Sequence, residues 1–565
     1  MDWVGDPYQL GILTGLLQAS ENVGGNLLCF VGGQLPGENG GPDVRHRIYE
    51  LAGTHNVDAM VMLASTLDHL AGTSGLARYC ERYRPLPLCS IGVELDDIPS
   101  VTADNDSGMR AVVSHLVREH HCRRVALVRG PLANAEAGAR FEAYRSVLDA
   151  NGIPFDERLV VTGTFMVESG AQAVSELSRT CGERLEHLDA IVASNDAMAF
   201  GVLSALAERE IEVPSQLAVV GFDDIEDACF TQPPLTTVSQ PLQKQGRAAH
   251  RALINWLQHG VQPKSERLGV ELVTRRSCGC LRAPDESRPP SIPPPNYSFE
   301  AGLTMRRQRL VDTLTRVARG SFGAAGQDWQ GRLVSALAAD LRGEEPPAFI
   351  AKVQDALEKV MGRGNGIDVC DELITALRKE TVPLLRSPNA PRDKAEELFH
   401  LARVATAQAA RRMLSREKVN LGRTARTLCA ACTQLAGTFD DGDLRAAITA
   451  NLQRLGIRSC FVAVYDQAEE PRGARMFVAH DERREWVDEG AEFEAKFLLP
   501  AAWLQDWEAG RSFAVLPLVW KDRSLGHVLF ELSLQHAFAY GPIAEAIGVA
   551  LRGVQLASAA SAKRL

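Results

Sequence analysis

Residues 189–241 read "DAIVASNDAMAFGVLSALAEREIEVPSQLAVVGFDDIEDACFTQPPLTTVSQP", and this stretch decides the fold. The apolar run Ala190 to Ala193 is too short for a helix and gives way to Ser194, Asn195 and Asp196. A buried parallel strand ending on hydrogen-bonding groups has this pattern, and ligands of open α/β sheets gather at such ends. Met198, Val202, Leu203 and Leu206 then recur at helical spacing, Pro214 closes the connection, and "LAVVGF" supplies a second all-apolar strand before Asp223 and Asp224. The stretch is one βαβ unit with both strand tips spelled out.

The same string resembles the sensing domain of lactose-repressor-type (LacI/GalR) transcription regulators through "NDAMAFG", "VPSQLAVVGFDD" and "PPLTTVSQ", in that order and at family spacing. The resemblance implies a two-lobed, type I periplasmic-binding-protein-like domain that closes on a sugar or on a nucleoside- or purine-like ligand. Working outward, the apolar runs "NLLCFVGG", "VDAMVMLAS", "LPLCSIGV", "RRVALVRGP", "RLVVTGTF", "LDAIVASND" and "LAVVGFDD" follow one another through residues 1–280. They recur roughly every thirty residues, the length of a βα unit. Two doubly wound lobes, divided near Arg129 and rejoined near Gln240, fit this succession. Only Trp3 and Val4 precede "GDPYQ", where the family has an apolar strand, which leads us to expect a start upstream of Met1.

The rest of the chain divides by composition. Residues 282–298, "RAPDESRPPSIPPPNYS", hold six prolines and predict a stiff extended spacer over 281–298. Residues 299–438 are helical in pattern, with a long helix from Asp393 to about Leu435. Its apolar stripe, Leu398, Leu401, Ala405, Ala409, Met413 and Leu428, suits a signalling helix in a homodimer. Residues 439–565 mix helices with antiparallel strands, and both this layout and "VLPLVWKDRSLGHVLFE" (515–531) resemble a GAF-type sensory module. The expected fold class is thus α/β for a two-lobed domain over 1–280, then an α-helical region, then an α+β GAF-like domain.

Composition bounds the function. A chain of 565 residues that is 45% hydrophobic can bury several cores. A net charge of −10 and a pI near 5.8 argue against a large surface for nucleic-acid phosphates. No helix-turn-helix is visible, so DNA contact is implied by the resemblance alone. The sequence has no long uninterrupted apolar stretch and no basic-then-apolar leader, so a cytoplasmic location without a membrane partner is expected. The 12 cysteines are scattered, as suits reduced thiols. "RSCGCL" (Cys278, Cys280) and "LCAACTQL" (Cys429, Cys432) invite a zinc reading, but no second CxxC or HxxxH follows either pair. Neither is assigned a metal, and no cofactor is expected.

Candidate ligand contacts come from the resemblance together with residue chemistry. Asp196 stands at a strand tip where a carboxylate accepts two hydroxyl hydrogens, and Arg140 in "ARFEAYRSVL" matches a family arginine that enters the cleft. Phe165 in "GTFMVESG" falls where the family places an aromatic wall, Gln240 falls at a cleft position beside a lobe crossing, and Asp6 and Tyr8 occupy the first loop. Asp223 and Asp224 are read as organising their turn and interlobe contacts. The Gly-rich segment 32–41 lacks the Gly-Lys-Ser/Thr ending of a phosphate loop, His400 has no phosphoacceptor surroundings, and no triad is specified, so no catalytic residue is expected. The reading is a small-metabolite sensor in transcription regulation, whose lobe closure passes through the proline spacer and helices to the GAF-like module. Two other classes fit the same features. One is the sensory subunit of a split signalling system with its kinase or cyclase output on a partner; the other is a transport-associated solute-binding protein.

Overall fold

The computed structural model describes the chain except residues 37–42, 183, 184, 186, 281–297, 319–327, 362–365, 387–389, 468–471, 484–489, 505–508 and 563–565. The proline-rich spacer and much of the Gly-rich segment therefore lie outside the described residues. Two compact units are present, one formed by Met1–Ala283 with Thr427–Leu565 and the other by Pro284–Arg426.

The first lobe runs α1 (Pro7–Val23), β1 (Leu27–Phe30), β2 (Met60–Leu63), α2 (Ala64–Cys80), β3 (Leu88–Ile91) and β4 (Ser100–Ala103). The second runs α3 (Asn105–Glu119), β5 (Val125–Arg129), α4 (Ala135–Ala150), β6 (Val160–Thr162), α5 (Val167–Cys181), β7 (Ala190–Ala193), α6 (Asp196–Glu208), β8 (Ala218–Val220) and β9 (Thr237–Ser239). The chain then returns to the first lobe as α7 (Leu242–His259) and β10 (Glu266–Leu268), while β11 (Glu271–Val273) pairs antiparallel with β9.

The second lobe's sheet, β6-β5-β7-β8, is parallel throughout. Val125, Leu127, Ala190 and Val192 belong to the core beneath α3 and α4, whereas Ala126, Val128, Ile191 and Ala193 belong to the core beneath α5 and α6. Alternate side chains thus meet helices on both faces, which is why these strands read as unbroken apolar runs. Helices α5 and α6 approach backbone to backbone: a Cβ on Gly201 would lie 1.9 Å from the Val167 carbonyl oxygen.

All seven apolar runs are strands, but the expected division point is displaced. Arg129 ends β5 inside the second lobe, and the chain leaves the first lobe at Asp104, whose carboxylate caps α3 by accepting the Ser107 N–H at 3.1 Å. The first lobe's parallel sheet is β10-β4-β3-β2, without β1. Strand β1 instead pairs in parallel with a C-terminal strand, Leu27 opposite Ser512 through Phe30 opposite Val515.

That strand belongs to the C-terminal segment, which runs α13 (Asp441–Leu455), β12 (Ser459–Tyr465), β13 (Gly473–Asp481), β14 (Glu492–Glu494), α14 (Ala501–Leu504), β15 (Ser512–Trp520), β16 (Arg523–Glu531) and α15 (Ala537–Ala562). Its strands form the antiparallel order β15-β16-β12-β13-β14, to which β1 adds. One face packs on α13 and α15 through Ile448, Leu452, Phe530, Ile543 and Ile547. The other shares a core with the first lobe, in which Tyr49, Leu76 and Tyr83 cluster with Phe461, Trp503 and Phe513. An antiparallel sheet with two apolar faces needs two covers, and the first lobe supplies the second. The helix from Leu534 to Ala560 is long and apolar enough to cross a membrane by length and composition; here Tyr540, Ile547 and Leu551 bury it against the sheet.

The second unit packs α8 (Phe299–Ala318), α9 (Trp329–Arg342), α10 (Phe349–Met361), α11 (Gly366–Thr381) and the start of α12 (Arg392–Ala436) around Leu314, Leu337, Phe349, Phe399 and Ala402. Asp340 caps α10, its two oxygens accepting the Ala348 and Phe349 N–H groups at 2.9 Å each. Along α12, Leu398, Ala405 and Ala409 are buried as the stripe requires, but Leu401 is 42% exposed, because Ala402 takes the inward position.

Candidate functional site

Helix N-termini converge where the two lobes meet. Asp6 caps α1, accepting the Gln9 N–H at 2.9 Å; Asn134 caps α4, accepting the Ala137 N–H at 2.8 Å; Asn195 caps α6, accepting the Met198 N–H at 2.9 Å. Parallel strands ending beneath such caps place polar groups and backbone N–H donors on one surface.

Arg140 is the hub of the second lobe's face. It is 2% exposed; its Nε donates to Asn105 Oδ1 at 2.8 Å and its Nη1 to the Ser194 carbonyl at 2.6 Å. Its guanidinium lies 4.0 Å from the centre of the Phe222 ring and 3.8 Å from both Glu136 and Asp223. Gln240, at the return crossing, donates to Asp223 Oδ1 at 2.7 Å and accepts from Gln245 at 3.3 Å. From the first lobe, the Tyr8 hydroxyl lies 3.4 Å from Ser65 Oγ. The lobes meet through Asn134, whose Nδ2 donates to the Ser65 carbonyl at 3.0 Å and to Asp68 Oδ1 at 2.8 Å. Phe165 and His69 also meet across the divide, ring centres 5.4 Å apart. The Phe165 backbone has φ +65°, and its carbonyl is held by the Asn195 side chain at 3.0 Å.

This surface is rich in acids short of partners. Burial pushes the Asp68 carboxyl up to about 7, helped by the charge of Glu136 and opposed by the Asn134 hydrogen bond. Burial likewise raises Asp6 to about 6 and Asp223 to about 7, the latter held back by Arg140 and Gln240. Among the described residues, Asp68 Oδ2 and Ser194 Oγ are buried without a hydrogen-bond partner.

Of the residues singled out from sequence, Arg140, Gln240, Asp6 and Tyr8 come together, and Phe165 borders them. Asp196 adjoins them, its carboxyl raised by burial and by the charge of Asp223. It is fully buried, its Oδ1 accepting the Thr237 hydroxyl at 2.6 Å and its Oδ2 the Ile225 N–H at 3.1 Å. Both oxygens are engaged inside the second lobe, so Asp196 fastens the turn after β8. The adjacent acids divide their work: Asp224 pairs with Arg275 at 2.6 Å and organises the turn, whereas Asp223 faces Arg140. Asn105, Asn134, Glu136 and Asp68 went unnoticed in the sequence; Asn105 and Asn134 at least carry a signal, as polar residues opening helices just after strand tips. The metal reading of Cys278 and Cys280 also changes. His115 and His120 stand beside them, a donor pair lying upstream rather than downstream in the chain.

Residues 113–278 match the periplasmic binding protein-like domain family. The chain is 34% identical over 209 residues to the HTH-type transcriptional regulator CelR of Thermobifida fusca, covering 36% of this chain and 58% of that protein. Over 180 residues it is 34% identical to the ribose operon repressor of Escherichia coli K12, covering 31% of this chain and 52% of the repressor. A solved structure, the transcriptional regulator CelR–cellobiose complex, is 28% identical with a TM-score of 0.41, covering 48% of this chain and 80% of that one. The chain spans about half the length of the curated relatives it matches. The family match covers residues 113–278 of the two-lobed segment, and the two relatives are, by name, a transcriptional regulator and an operon repressor.

Proposed function

We propose that the chain is a cytoplasmic small-metabolite sensor acting in transcription regulation, and that it binds a sugar, or a nucleoside-like molecule with comparable hydroxyls, between its lobes. The observation behind this reading is the convergence of Arg140, Asp223 and Gln240 at the lobe crossing, beside the unpartnered Ser194 Oγ and Asp68 Oδ2. A buried guanidinium donates and buried carboxylates accept, so vicinal hydroxyls meet both needs at once. Asp6, Tyr8 and Asn105 complete the polar lining, and Phe165 offers a flat apolar wall. Names of similar proteins, a ribose operon repressor and a cellobiose complex, support sugars as the first class to screen.

The C-terminal α+β domain we read as GAF-like, on its strand order and flanking helices, and α12 as a dimer helix, since Leu414, Val419 and Leu421 are 51%, 58% and 63% exposed along it. A second reading, the sensory subunit of a split signalling system, draws support from the sheet shared between the first lobe and this domain, which suits output through a partner protein.

The test is a thermal-shift and calorimetric screen of the full chain against sugars, nucleosides and purines, followed by Asp223→Asn and Arg140→Met. A hit that both variants bind as tightly as the parent overturns the site. A gel-shift at low salt with DNA upstream of the chain's own gene separates the two readings: a ligand-sensitive shift supports regulation by direct DNA contact, and no shift favours the partner-output reading.

A further inference from the structure

Outside the cleft, the described residues bring four metal-ligating side chains together, one from α3, one from just after it and two from the end of the sensor domain. His115 lies in the last turns of α3 and His120 follows that helix, while Cys278 and Cys280 come just after β11. The Nε2 atoms of the two histidines are 3.2 Å apart; Cys278 Sγ is 3.5 Å from His115 Nε2, and Cys280 Sγ is 3.4 Å from the Nε2 of each histidine. All four donor atoms lie within 4.8 Å of one another.

These separations can be set against an ideal site. With Zn–N near 2.05 Å and Zn–S near 2.3 Å, a tetrahedron has N···N edges of about 3.3 Å and N···S edges of about 3.6 Å. Four of the six edges fall within about 0.2 Å of those values, and the other two are no longer than 4.8 Å. Two soft sulfurs and two imidazoles gathered this closely select zinc over calcium, magnesium or manganese. The intervening glycine fits the same purpose: Gly279 has φ +103°, and a Cβ there would lie 3.2 Å from His120 Nδ1, so only glycine lets both flanking thiols face the histidines.

We propose that His115, His120, Cys278 and Cys280 form a structural zinc site. Both thiols lose their protons to solvent on binding, both histidines coordinate as neutral imidazoles through Nε2, and the two thiolates balance the charge of the ion. With four protein ligands the site is closed, leaving no position for a substrate. Its work is mechanical. The segment 275–280 is already tied to the second lobe by Arg275 to Asp224 and by the Ser277 hydroxyl to the Val219 carbonyl at 2.5 Å. The ion adds a clamp between the end of that segment and α3, fixing where the chain leaves the sensor domain.

The experiment is elemental analysis of the full-length protein, purified under reducing conditions without chelator, with reconstitution by zinc chloride or cobalt chloride alone. About one zinc per chain is expected, and cobalt should give the intense visible bands of a tetrahedral ion together with near-ultraviolet thiolate charge transfer. Cys280→Ser and His120→Ala should bring zinc to background and abolish the charge-transfer band or weaken it, while Cys429→Ser/Cys432→Ser keeps both. If His120→Ala fails to fold, Cys280→Ser and the parent's cobalt spectrum decide. Reduced parent protein that takes up no zinc or cobalt overturns the proposal. So does equal zinc in parent and Cys280→Ser, or an octahedral cobalt spectrum.

Discussion

Replacing Asp68 with asparagine tests whether the cleft is built from desolvated acids awaiting a ligand. Asp68 is fully buried; one oxygen accepts from Asn134 at 2.8 Å and the other has no partner, and burial raises its carboxyl to about 7. In the unfolded chain the same group titrates near 3.9. Between those values the folded protein holds a proton that the unfolded chain has released, so stability is greatest below the unfolded value and falls as pH rises through the folded one. From pH 6 to pH 8 a carboxyl centred at 7 removes a factor of about ten in the folding equilibrium, or about 1.4 kcal/mol. For a domain of this size that is about 3–5 °C in melting temperature.

Asparagine retains an oxygen for Asn134 and cannot titrate. Scanning calorimetry of the full chain at pH 6, 7 and 8 and fixed ionic strength should therefore show the parent's sensor transition falling about 3–5 °C further than that of Asp68→Asn. Asp223 titrates in the same range and remains in both proteins, so only the difference between the two slopes is diagnostic. A saturating ligand that donates a hydroxyl to the free oxygen favours the ionised form and should shrink the parent's slope. Parallel pH profiles for parent and variant would refute the argument.

Asp223→Asn should weaken binding of a confirmed ligand by about 10–100-fold in isothermal titration, the range for losing a charge-assisted hydrogen bond. Thr237→Val, which deprives Asp196 of its hydroxyl donor, should instead lower the melting temperature by removing about 1–3 kcal/mol while leaving affinity within about threefold; an affinity loss as large as that of Asp223→Asn would return Asp196 to the pocket. Gly201→Val forces a side chain into the Val167 carbonyl and should destabilise the second lobe by about 3 kcal/mol or more, seen as loss of amide-exchange protection in α5 and α6. In the C-terminal domain, Arg511 is 7% exposed and bonds Asp481 at 2.9 Å and Glu531 at 3.1 Å. Arg511→Ala leaves buried Asp481 without its cation while Glu531 keeps Arg483 at 2.9 Å, and should cost about 3 kcal/mol, read as early melting of the unit that this domain forms with the first lobe.

What could be seen in the string and what could not follows from direction. The βαβ unit at 189–241 is visible because strands covered on both faces must be apolar throughout, and nothing else of that length is. Asp196 and Asp223 each follow such a strand, and their order along the chain says nothing about which way each carboxylate turns. Asn195 takes the cap, which sends Asp196 inward to Thr237, and the positive φ of Asp223 and Asp224, +122° and +56°, splits that pair between Arg140 and Arg275. Asp68 had no signal at all, since it gains its meaning from Asn134 on the other lobe. The His–Cys cluster was hidden by separation, its donors standing 163 and 160 residues apart along the chain. Motif spacing detects ligands held on one local turn, not those gathered by tertiary structure.

Strand β1 shows the same blindness with a larger consequence. "NLLCFVGG" reads as a buried strand whichever neighbour it takes, and its neighbour is β15, with the Val31 N–H donating to the Val515 carbonyl at 2.9 Å and Asn26 accepting the Arg511 N–H at 3.0 Å. Tyr49, Leu76 and Tyr83 then share a core with Phe461, Trp503 and Phe513. Packed cores of this kind move as bodies rather than deform, so the first lobe and the C-terminal domain act together. The two lobes, by contrast, touch through Asn134, through the Phe165–His69 contact and through the polar groups of the cleft, a junction that a ligand donating and accepting hydrogen bonds is equipped to bias. On the proposed reading, lobe closure is a motion of the second lobe against the first lobe and C-terminal domain together. The signal need not travel through the proline-rich spacer to reach that domain, because the domain's own sheet includes a strand of the sensor.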